Sequence, residues 1–456
     1  MGPPASQAPP EQDFLERLRS AVNRRADAYS GAPRINIAFS GGLDSALALR
    51  AFVELGFGAR LRAVHIDHGL HADSRQWTAH CRRQAEALGV AFESRRVDVD
   101  RGTGFGLEAA AREARYAALR ALLGPGEIVV TAHHADDQLE TVLLRLLRGT
   151  GARGLAAIAE LAPFGAGLLH RPLLGFSRAQ IRAQAERWSL DWLEDPSNRD
   201  LGHDRNYLRE QVLPRLESRW PSAASAAVRL AGHMREAQEN LGELARLDLA
   251  DPDPSAPVPR ETLRQLSPAR QRNALRWLIE RRGLAVPSAK QLEELRESLN
   301  VVRPDARTTV TWPGAQVRVY RDKLYFIVSE EADAGLPPSG RLALDQDWEG
   351  GKYGRLTLVA SQHGGLPEHW ARDGIEIRFR AGGERFKPLH DAHGKSLKQW
   401  LREAAILPWM RDKIPLLYRG GQLIAVADLC LDDDLRKHQA DATLWRVEWS
   451  GHPPIR

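Results

Sequence analysis

Short apolar runs alternate with amphipathic helical patterns along the first two hundred residues. The runs end at turn-forming residues, and the segments between them place apolar residues at helical spacing. This pattern predicts strands over residues 35–39, 61–67, 91–99 and 127–131, and helices over residues 43–55, 74–88, 108–123 and 135–147. Strands that alternate with helices are typical of an α/β fold with a doubly wound parallel sheet, in which ligands bind beyond the carboxyl ends of the strands.

The pattern changes after about residue 221. Amphipathic helical patterns cover residues 222–249, 261–284 and 288–299, a proline-rich linker covers 251–259, and three short β-like runs lie between 308 and 328. The last part mixes strands with at least one helix. We therefore predict a disordered tail (1–12), an α/β domain (13–221), a mainly helical middle domain (222–335) and a small mixed α/β C-terminal domain (340–456).

Composition narrows the classes of protein that fit. The chain has 456 residues, of which 43% are hydrophobic and 27% are charged, as in an ordinary globular protein. Its sequence has no apolar stretch near the roughly 18 residues of a membrane helix, and the first ten residues lack the features of a secretory signal. The two cysteines, Cys81 and Cys430, exclude a disulfide framework and a CxxC metal or redox site, so we expect a cytoplasmic protein.

The strongest chemical motif lies at a predicted strand-to-helix turn. It consists of Ser40, Gly41, Gly42, Leu43, Asp44 and Ser45. The first amides of a helix favour an anion, the two glycines allow close backbone approach, and the two serines add hydroxyl donors. Asp44 suits such a site if it holds Mg²⁺ against phosphates. The motif is neither a Walker A nor a GxGxxG sequence, and an ordinary helix N-cap would use the same residue types.

This motif resembles the pyrophosphate loop of the ATP-pyrophosphatase superfamily, which implies an adenine nucleotide α-hydrolase-like fold. Further strings resemble the tRNA(Ile)-lysidine synthase family: residues 65–70, 108–116, 131–141, 148–155, 171–174, 192–198, 205–206, 382–389, 395–398 and 408–417. The likeness is dense over residues 33–215 and looser through the middle of the chain. His71 departs from it, because the family pattern leads us to expect Arg there.

The resemblance implies a ligase that uses ATP and Mg²⁺. ATP would adenylate the ring carbonyl of the wobble cytidine in the isoleucine tRNA with a CAU anticodon, and free L-lysine would then displace AMP through its ε-amine. The product would be lysidine, which lets the tRNA read AUA codons. On this interpretation the turn from Ser40 to Ser45 binds ATP, and Asp44 also holds Mg²⁺ through the phosphates. The sequence leaves the oligomeric state open between a monomer and a homodimer.

Two other functions stay open. Another ATP-pyrophosphatase could act on tRNA with a different nucleophile, although thiolating members commonly use cysteines that this chain lacks. Gly2 also stands where an attached glutaminase would carry its nucleophilic Cys. The non-enzymatic alternative is an RNA-binding module with a vestigial nucleotide loop, which the intact Asp44 and both serines disfavour.

The segment after the fourth predicted strand supplies candidate catalytic side chains. His133 and Asp137 on one helical face could reach one metal ion, although no further Cys or His in the sequence supports a zinc site. Acidic residues at a helix start also complement the helix dipole without any catalytic role. The family resemblance favours a catalytic cleft, and because consecutive helical side chains diverge by about 100°, we expect Asp137 rather than Asp136 to face it with His133. There Asp137 would hold the lysine ammonium or accept its proton.

Three arginines are further candidates. Arg112 and Arg115 follow Glu108 on a predicted helix, where an exposed pair of Glu108 with Arg112 explains them equally well. Arg205 belongs to the family pattern, and we place it among the catalytic residues, facing either the RNA backbone or the adenylate.

Basic and aromatic residues are interleaved near the C-terminus. Residues 372–419 carry eleven Lys or Arg and six Asp or Glu, a net charge of +5 that equals the +5 of the whole chain. Such a surface can hold phosphates and stack on unpaired bases. We expect Phe386 and Trp409 to lie in the core. The residues expected to bind tRNA phosphates are Lys387, Lys395, Lys398 and Arg402.

Overall fold

A computed structural model of the chain describes residues 10–69, 73–99, 107–194, 201–253, 256–300, 308–328, 335–362, 364–389, 391–438 and 443–456. The chain divides into two compact units between Leu241 and Gly242. This division lies inside one long helix, whereas the sequence predicts a domain boundary at about residue 221. The division into a catalytic, a middle and a C-terminal domain stays a prediction.

The helices and strands of the first unit alternate over most of its length. Its helices are α1 (Pro10–Asn23), α2 (Ala26–Ser30), α3 (Leu43–Glu54), α4 (Ser74–Ala87), α5 (Leu107–Leu122), α6 (Ala135–Leu147), α7 (Ala152–Leu155), α8 (Arg178–Arg187), α9 (Asp204–Tyr207), α10 (Leu213–Arg219) and α11 (Ala223–Leu249), the last of which crosses the division. Its strands are β1 (Ile35–Ala38), β2 (Leu61–Asp67), β3 (Ala91–Arg96), β4 (Ile128–Val130), β5 (Leu161–Phe164) and β6 (Gly167–His170). A π-helical turn (Leu208–Val212) joins α9 to α10.

The six strands form one sheet in the order β3-β2-β1-β4-β6-β5. Neighbouring strands are parallel except in the β5–β6 hairpin. One face of the sheet packs on α3 and α8 around Ile35, Ile37 and Leu47. The other face packs on α5 around Val64 and Val129. Because helices cover both faces, the predicted α/β fold with a doubly wound parallel sheet is confirmed.

The strand order reverses at the centre of this sheet. β1 pairs with β2 on one side and with β4 on the other, so the chain leaves these two central strands toward opposite edges. A crevice that binds ligands typically opens at such a reversal, beyond the carboxyl ends of the strands. Residues 39–42 follow β1 and residues 131–134 follow β4, so both loops meet at this point.

The four predicted strand–helix pairs are all present, but other predictions differ from the structure. Helix α1 begins at Pro10, inside the segment predicted as a tail, and residues 1–9 lie outside the described residues. The β5–β6 hairpin was not predicted, because β5 is short and contains Pro163, which only an edge strand tolerates. His71 and residues 195–198 of the family pattern also lie outside the described part of the chain.

The second unit continues with short helices and antiparallel strands. Its helices are α12 (Arg260–Arg264), α13 (Pro268–Arg281), α14 (Ala289–Ser298), α15 (Glu368–Asp373) and α16 (Leu397–Glu403). Its strands are β7 (Val258–Pro259), β8 (Thr309–Trp312), β9 (Ala315–Tyr320), β10 (Lys323–Val328), β11 (Gly340–Leu342), β12 (Trp348–Glu349), β13 (Arg355–Ser361), β14 (Leu366–Pro367), β15 (Ile375–Arg378), β16 (Arg385–Phe386), β17 (Lys395–Ser396), β18 (Leu416–Arg419), β19 (Gln422–Val426), β20 (Cys430–Leu431) and β21 (Leu444–Ser450).

Three main sheets organise this second unit. Their orders are β7-β10-β9-β8, β11-β15-β18-β19-β20 and β12-β13-β21-β14. The helix predicted over 261–284 is two helices, because Pro268 cannot continue α12 and instead starts α13 after the N-cap Ser267. Throughout the described ranges, none of the helices combines the length and apolar character that a bilayer span requires.

Candidate active site

The turn after β1 is stabilised by its own serine side chains. The Ser45 Oγ accepts a hydrogen bond from the Ser40 backbone N–H at 3.2 Å and donates one to the Gly42 carbonyl at 3.0 Å. The Ser40 Oγ accepts from the Gly42 N–H at 3.3 Å. Gly41 has φ +80°, in the left-handed region that favours glycine, and Gly42 directly precedes the first helical residue, Leu43. The first amides of α3 therefore lie beyond the carboxyl end of β1.

Asp44, in the first turn of α3, faces the loop after β4. Its Oδ2 lies 3.8 Å from Nε2 of His134. Its Oδ1 is buried and has no hydrogen-bond partner among the described residues. Burial raises the pKa of Asp44, His134 opposes that rise, and Asp137 adds to it. The two loops at the centre of the sheet thus meet through the contact between Asp44 and His134.

Three carboxylates converge on His134, which was not among the predicted catalytic residues. Besides its contact with Asp44, its Nε2 lies 3.5 Å from Oδ2 of Asp137, and its Nδ1 lies 3.3 Å from Oδ2 of Asp136. Burial lowers the pKa of His134, but the carboxylates, Asp137 foremost, outweigh burial and raise it to about 9. The imidazole is therefore a cation at neutral pH.

His133 has a different environment. Its Nδ1 lies 2.8 Å from Oγ1 of Thr131, and burial lowers its pKa to about 3, so the ring is neutral. Helix α6 begins at Ala135 with His134 as its N-cap, so His133 precedes the helix. The alternative in which His133 and Asp137 reach one metal ion from a single helical face is therefore wrong. A catalytic role for His133 stays a prediction.

Asp137 is held in its ionised form. Its Oδ2 accepts a hydrogen bond from the His134 backbone N–H at 2.9 Å. Burial would raise the pKa of Asp137, but His134, His133 and this hydrogen bond outweigh burial and lower it to about 2. Asp136 accepts instead from the Arg178 backbone N–H at 2.8 Å. The two neighbouring carboxylates thus reach opposite edges of one imidazole, in line with the expected divergence of their side chains.

A partly buried ion pair beside Asp137 involves Arg209, which was not predicted. Arg209 donates from Nε to Oε1 of Glu140 at 2.8 Å and from Nη2 to Oε2 at 3.1 Å, and its Nη2 lies 3.4 Å from Oδ1 of Asp137. Glu140 is fully buried, and burial raises the pKa of its carboxyl against the opposing effect of Arg209. The predicted Arg205 donates to Oγ1 of Thr141 at 3.2 Å. Arg209 follows Arg205 by four positions, a helical spacing that could have pointed to it.

The other two candidate arginines lie on α5. Arg112 donates from Nη2 to the Tyr116 hydroxyl at 3.4 Å, with its guanidinium 4.9 Å above that ring. Burial is the main cause that lowers the pKa of His133, and the charges of Arg112 and Arg115 lower it further by smaller amounts. Both arginines therefore lie near the site. The alternative pairing with Glu108 involves a side chain outside the described residues.

The basic residues predicted to bind tRNA fall into two groups. Lys387 pairs with Asp433 at 2.8 Å, and Lys395 bridges two carboxylates at 2.7 and 2.8 Å. Lys398 and Arg402 are exposed on α16 and have no carboxylate partner within the described part of the chain. The sequence could not separate these two groups, because the pairing carboxylates are distributed over the domain.

Comparisons with known proteins bear on this site. A family model described as a PP-loop domain matches residues 10–216, which include β1, the turn after it and α6. The tRNA(Ile)-lysidine synthase of Alkalilimnicola ehrlichii is 42% identical over 401 residues, which cover 86% of this chain and 89% of that protein. The chain belongs to the tRNA(Ile)-lysidine synthase family. The resemblance seen in the sequence is thereby confirmed.

Other members of the tRNA(Ile)-lysidine synthase family match over a similar length. The protein of Methylococcus capsulatus is 39% identical, covering 88% of this chain and 92% of that protein. The protein of Pseudomonas aeruginosa is also 39% identical, covering 92% of this chain and 93% of that protein. A model described as the TilS substrate binding domain matches residues 259–325, and one described as the TilS substrate C-terminal domain matches residues 375–449. Both lie in the second unit.

Proposed function

We propose that the protein ligates free L-lysine to the wobble cytidine of the isoleucine tRNA with a CAU anticodon, at the expense of ATP. The ring carbonyl oxygen attacks the α-phosphorus, an O–P bond forms, and pyrophosphate leaves. The lysine ε-amine then attacks the ring carbon, the C–N bond forms, the C–O bond to AMP breaks, and the amine loses a proton. The observation that carries the proposal is the contact between Asp44 and His134, which joins the pyrophosphate-type turn to a carboxylate cluster in a member of this family.

The turn after β1 has the features that a triphosphate requires. The start of α3 supplies amides without helical partners, and Gly41 lets the backbone approach a phosphate closely. Hydrogen bonds among Ser40, Gly42 and Ser45 fix the shape of the turn before any ligand binds. Such a preorganised turn stabilises negative charge where it develops as pyrophosphate departs.

Mg²⁺ fits beside Asp44. The buried Oδ1 of Asp44 offers a hard oxygen ligand that has no other partner among the described residues. Within those residues, no group of three or more His, Cys, Asp or Glu side chains is arranged to hold a metal ion unaided. Mg²⁺ commonly binds through one or two carboxylates together with substrate phosphates and water, so Asp44 would hold it with ATP. The ion would supply positive charge against the phosphates.

The carboxylate cluster suits the ammonium group of lysine. Four carboxylates lie near the cations of His134 and Arg209; they belong to Asp44, Asp136, Asp137 and Glu140. The net charge of this cluster is −2 when all six groups are ionised. We assign Asp137 to hold the ammonium, because a carboxyl with a pKa of about 2 is a weak proton acceptor. His133, Arg205 and Asp44 stay the other proposed catalytic residues.

Exposed cations of the second unit would bind the tRNA backbone. Lys398 and Arg402 are the better candidates of the four predicted residues, because Lys387 and Lys395 are already neutralised within the fold. The cytoplasmic location stays a prediction, and the oligomeric state stays open between a monomer and a homodimer.

Incorporation of labelled lysine tests the proposed function. The protein is incubated with ATP, Mg²⁺, radiolabelled lysine and transcribed isoleucine and methionine tRNAs that share the CAU anticodon. We expect label in the isoleucine tRNA alone, with one pyrophosphate released per lysine, and lysidine at the wobble position after nuclease digestion. Pyrophosphate release that depends on tRNA but not on lysine would favour another ATP-pyrophosphatase with a different nucleophile. Binding of tRNA without ATP turnover would favour the non-enzymatic RNA-binding module.

A further inference from the structure

The second unit contains a cavity that the proposed chemistry does not use. It has a volume of about 110 Å³, and its walls combine aromatic and cationic side chains. Both segments matched by the two substrate-domain models contribute to it: Arg282, Arg318 and Tyr325 from one, and Trp409 and Lys413 from the other. It lies far along the chain from the turn after β1.

Aromatic rings packed edge to face line part of this cavity. The ring of Trp409 lies edge-on to Tyr325 with 5.1 Å between centroids, and the Arg318 guanidinium lies 5.0 Å from the Trp409 ring centre. Trp409, which the sequence placed in the core, is only half-buried and lines this cavity. An engineered apolar cavity of about 150 Å³ binds benzene, so the space suits about one ring.

The charged side chains of the lining are all cationic. Arg282, Arg318 and Lys413 contribute three cations, and none of the lining residues, all within the described ranges, carries a carboxylate. Lys413 also lies 4.6 Å from the ring centre of Tyr353. All three cations also have partners in the fold. Arg282 donates to the Ala256 carbonyl at 2.8 Å, Arg318 donates to Oε1 of Gln316 at 2.9 Å, and Lys413 donates to the Tyr353 hydroxyl at 2.5 Å. A cation such as lysine would find no countercharge in this lining.

A flat ring joined to a negative charge is the chemistry of a nucleotide. We propose that this cavity binds one unpaired nucleotide of the RNA substrate, with its base among the aromatic rings and its phosphate on Arg318 and Lys413. Aromatic side chains and arginine planes hold unstacked RNA bases in this way. The proposal rests on the proposed function only in taking the RNA to be tRNA.

Nucleotide-resolution footprinting tests the proposal without any turnover. Transcribed isoleucine tRNA with a CAU anticodon is probed chemically with the wild-type protein and with the Arg318→Gln, Lys413→Gln and Trp409→Leu variants. We expect the wild-type protein to protect one unpaired nucleotide outside the anticodon, and each variant to lose that protection. Arg446→Gln removes an exposed cation from β21, where it pairs with Glu448, and should leave the footprint unchanged.

Steady-state kinetics and salt dependence distinguish the proposed phosphate contacts from the proposed stacking of the base. Each variant should raise KM for tRNA by at least about fivefold with kcat unchanged, because base stacking and phosphate contacts contribute on that scale. Arg318→Gln should reduce the slope of log affinity against log salt by about one, whereas Trp409→Leu should leave the slope unchanged. Trp409→Phe keeps a flat ring and should retain the footprint, which separates loss of stacking from loss of folding.

Several results would overturn the proposal. An unchanged footprint and KM in Arg318→Gln would do so, as would protection lost only from a base-paired segment. The variants could bind free uridine monophosphate more weakly than the wild-type protein and still give the wild-type tRNA footprint. That result would mean that the cavity binds a free nucleotide instead. If the wild-type protein gives the expected footprint but attaches no lysine, the proposed function fails and the nucleotide site stands.

Discussion

The thiol of Cys81 fills the space into which a side chain at Gly41 would have to extend. A Cβ atom at Gly41 would lie 2.7 Å from Sγ of Cys81, closer than such atoms approach without a shift. Cys81 is fully buried on α4, and burial raises the pKa of its thiol to about 12, so it is an inert packing group. Helix α4 therefore fixes the path of the turn after β1.

Gly41→Ala should impair both stability and ATP binding. The left-handed backbone at φ +80° costs about 1–2 kcal/mol for Ala, and the contact with Cys81 adds overpacking of about 1–3 kcal/mol. Adding Cys81→Ala should relieve the overpacking but not the backbone strain. Thermal unfolding of the four proteins in this double-mutant cycle measures the coupling. Strictly additive effects would show that the thiol does not limit the turn.

Arg209→Met should strongly destabilise the first unit. It leaves Glu140 buried without its partner, and breaking a buried pair in this way costs about 3–5 kcal/mol. Adding Glu140→Gln should recover part of the loss, because no buried charge then lacks a partner. Arg372→Gln is the matched control, since it breaks the exposed pair with Glu368 and should change stability little. Equal losses of denaturation midpoint in Arg209→Met and Arg372→Gln would contradict the assignment.

The fold of the first unit follows closely from its sequence pattern. The strand at Ile128–Val130 is a continuous apolar run, and the strand at Ile35–Ala38 is apolar except for the buried Asn36, a pattern typical of a sheet covered on both faces. The break at Pro268 could have been predicted from the missing amide, but the amphipathic pattern continues across it. Pattern alone also missed β5, because tertiary pairing rather than local preference holds that strand at the sheet edge.

The site was harder to predict than the fold. Asp44 and Asp137 belong to recognisable motifs, and both lie at the reversal of strand order. His134 and Arg209 were missed because their roles depend on contacts across the fold: Asp44 lies ninety positions before His134, and Arg209 lies 69 positions after Glu140. The periodicity of a sequence predicts which face of a helix is buried. It does not predict which residue, distant in the sequence, contacts that face.

Stability should fall as pH rises from about 6.5 to 9, through His134. Its pKa is about 6.5 when unfolded and about 9 when folded, so its contribution is complete below 6.5 and is lost as pH rises through 9. The contribution is on the order of 3 kcal/mol, and it arises from Asp44, Asp136 and Asp137 around the ring. The pKa of His133 is lowered to about 3, so its contribution is present above 6.5 and is lost only as pH falls.

Urea unfolding of the wild-type protein and of His134→Gln across this pH range isolates that contribution. The difference in unfolding free energy should shrink toward pH 9, since the variant has no imidazolium to lose. A difference that stays constant with pH would mean that the ring is neutral throughout.

Affinity for tRNA should depend on Lys398 and Arg402 more than on Lys395. The first two are exposed cations on α16, whereas Lys395 already bridges two carboxylates. Lys398→Gln and Arg402→Gln should each reduce the slope of log affinity against log salt by about one, and Lys395→Gln should change it less. Filter binding at several salt concentrations measures these slopes. An equal effect of all three substitutions would show that the internal pairs open when RNA binds.

Asp137→Asn should weaken lysine binding more than ATP binding. The amide keeps the shape of the side chain and can still accept from the His134 N–H, but it removes the charge that we propose binds the ammonium. Hydrogen bonds to charged groups contribute about 1.5–3 kcal/mol, so KM for lysine should rise at least about tenfold while KM for ATP changes little. Asp136→Asn is the matched control, because that carboxylate is directed to the other edge of His134 and to the Arg178 amide. An unchanged KM for lysine in Asp137→Asn, or an equal rise in both variants, would remove Asp137 from the lysine site and leave it the structural role of ordering the start of α6.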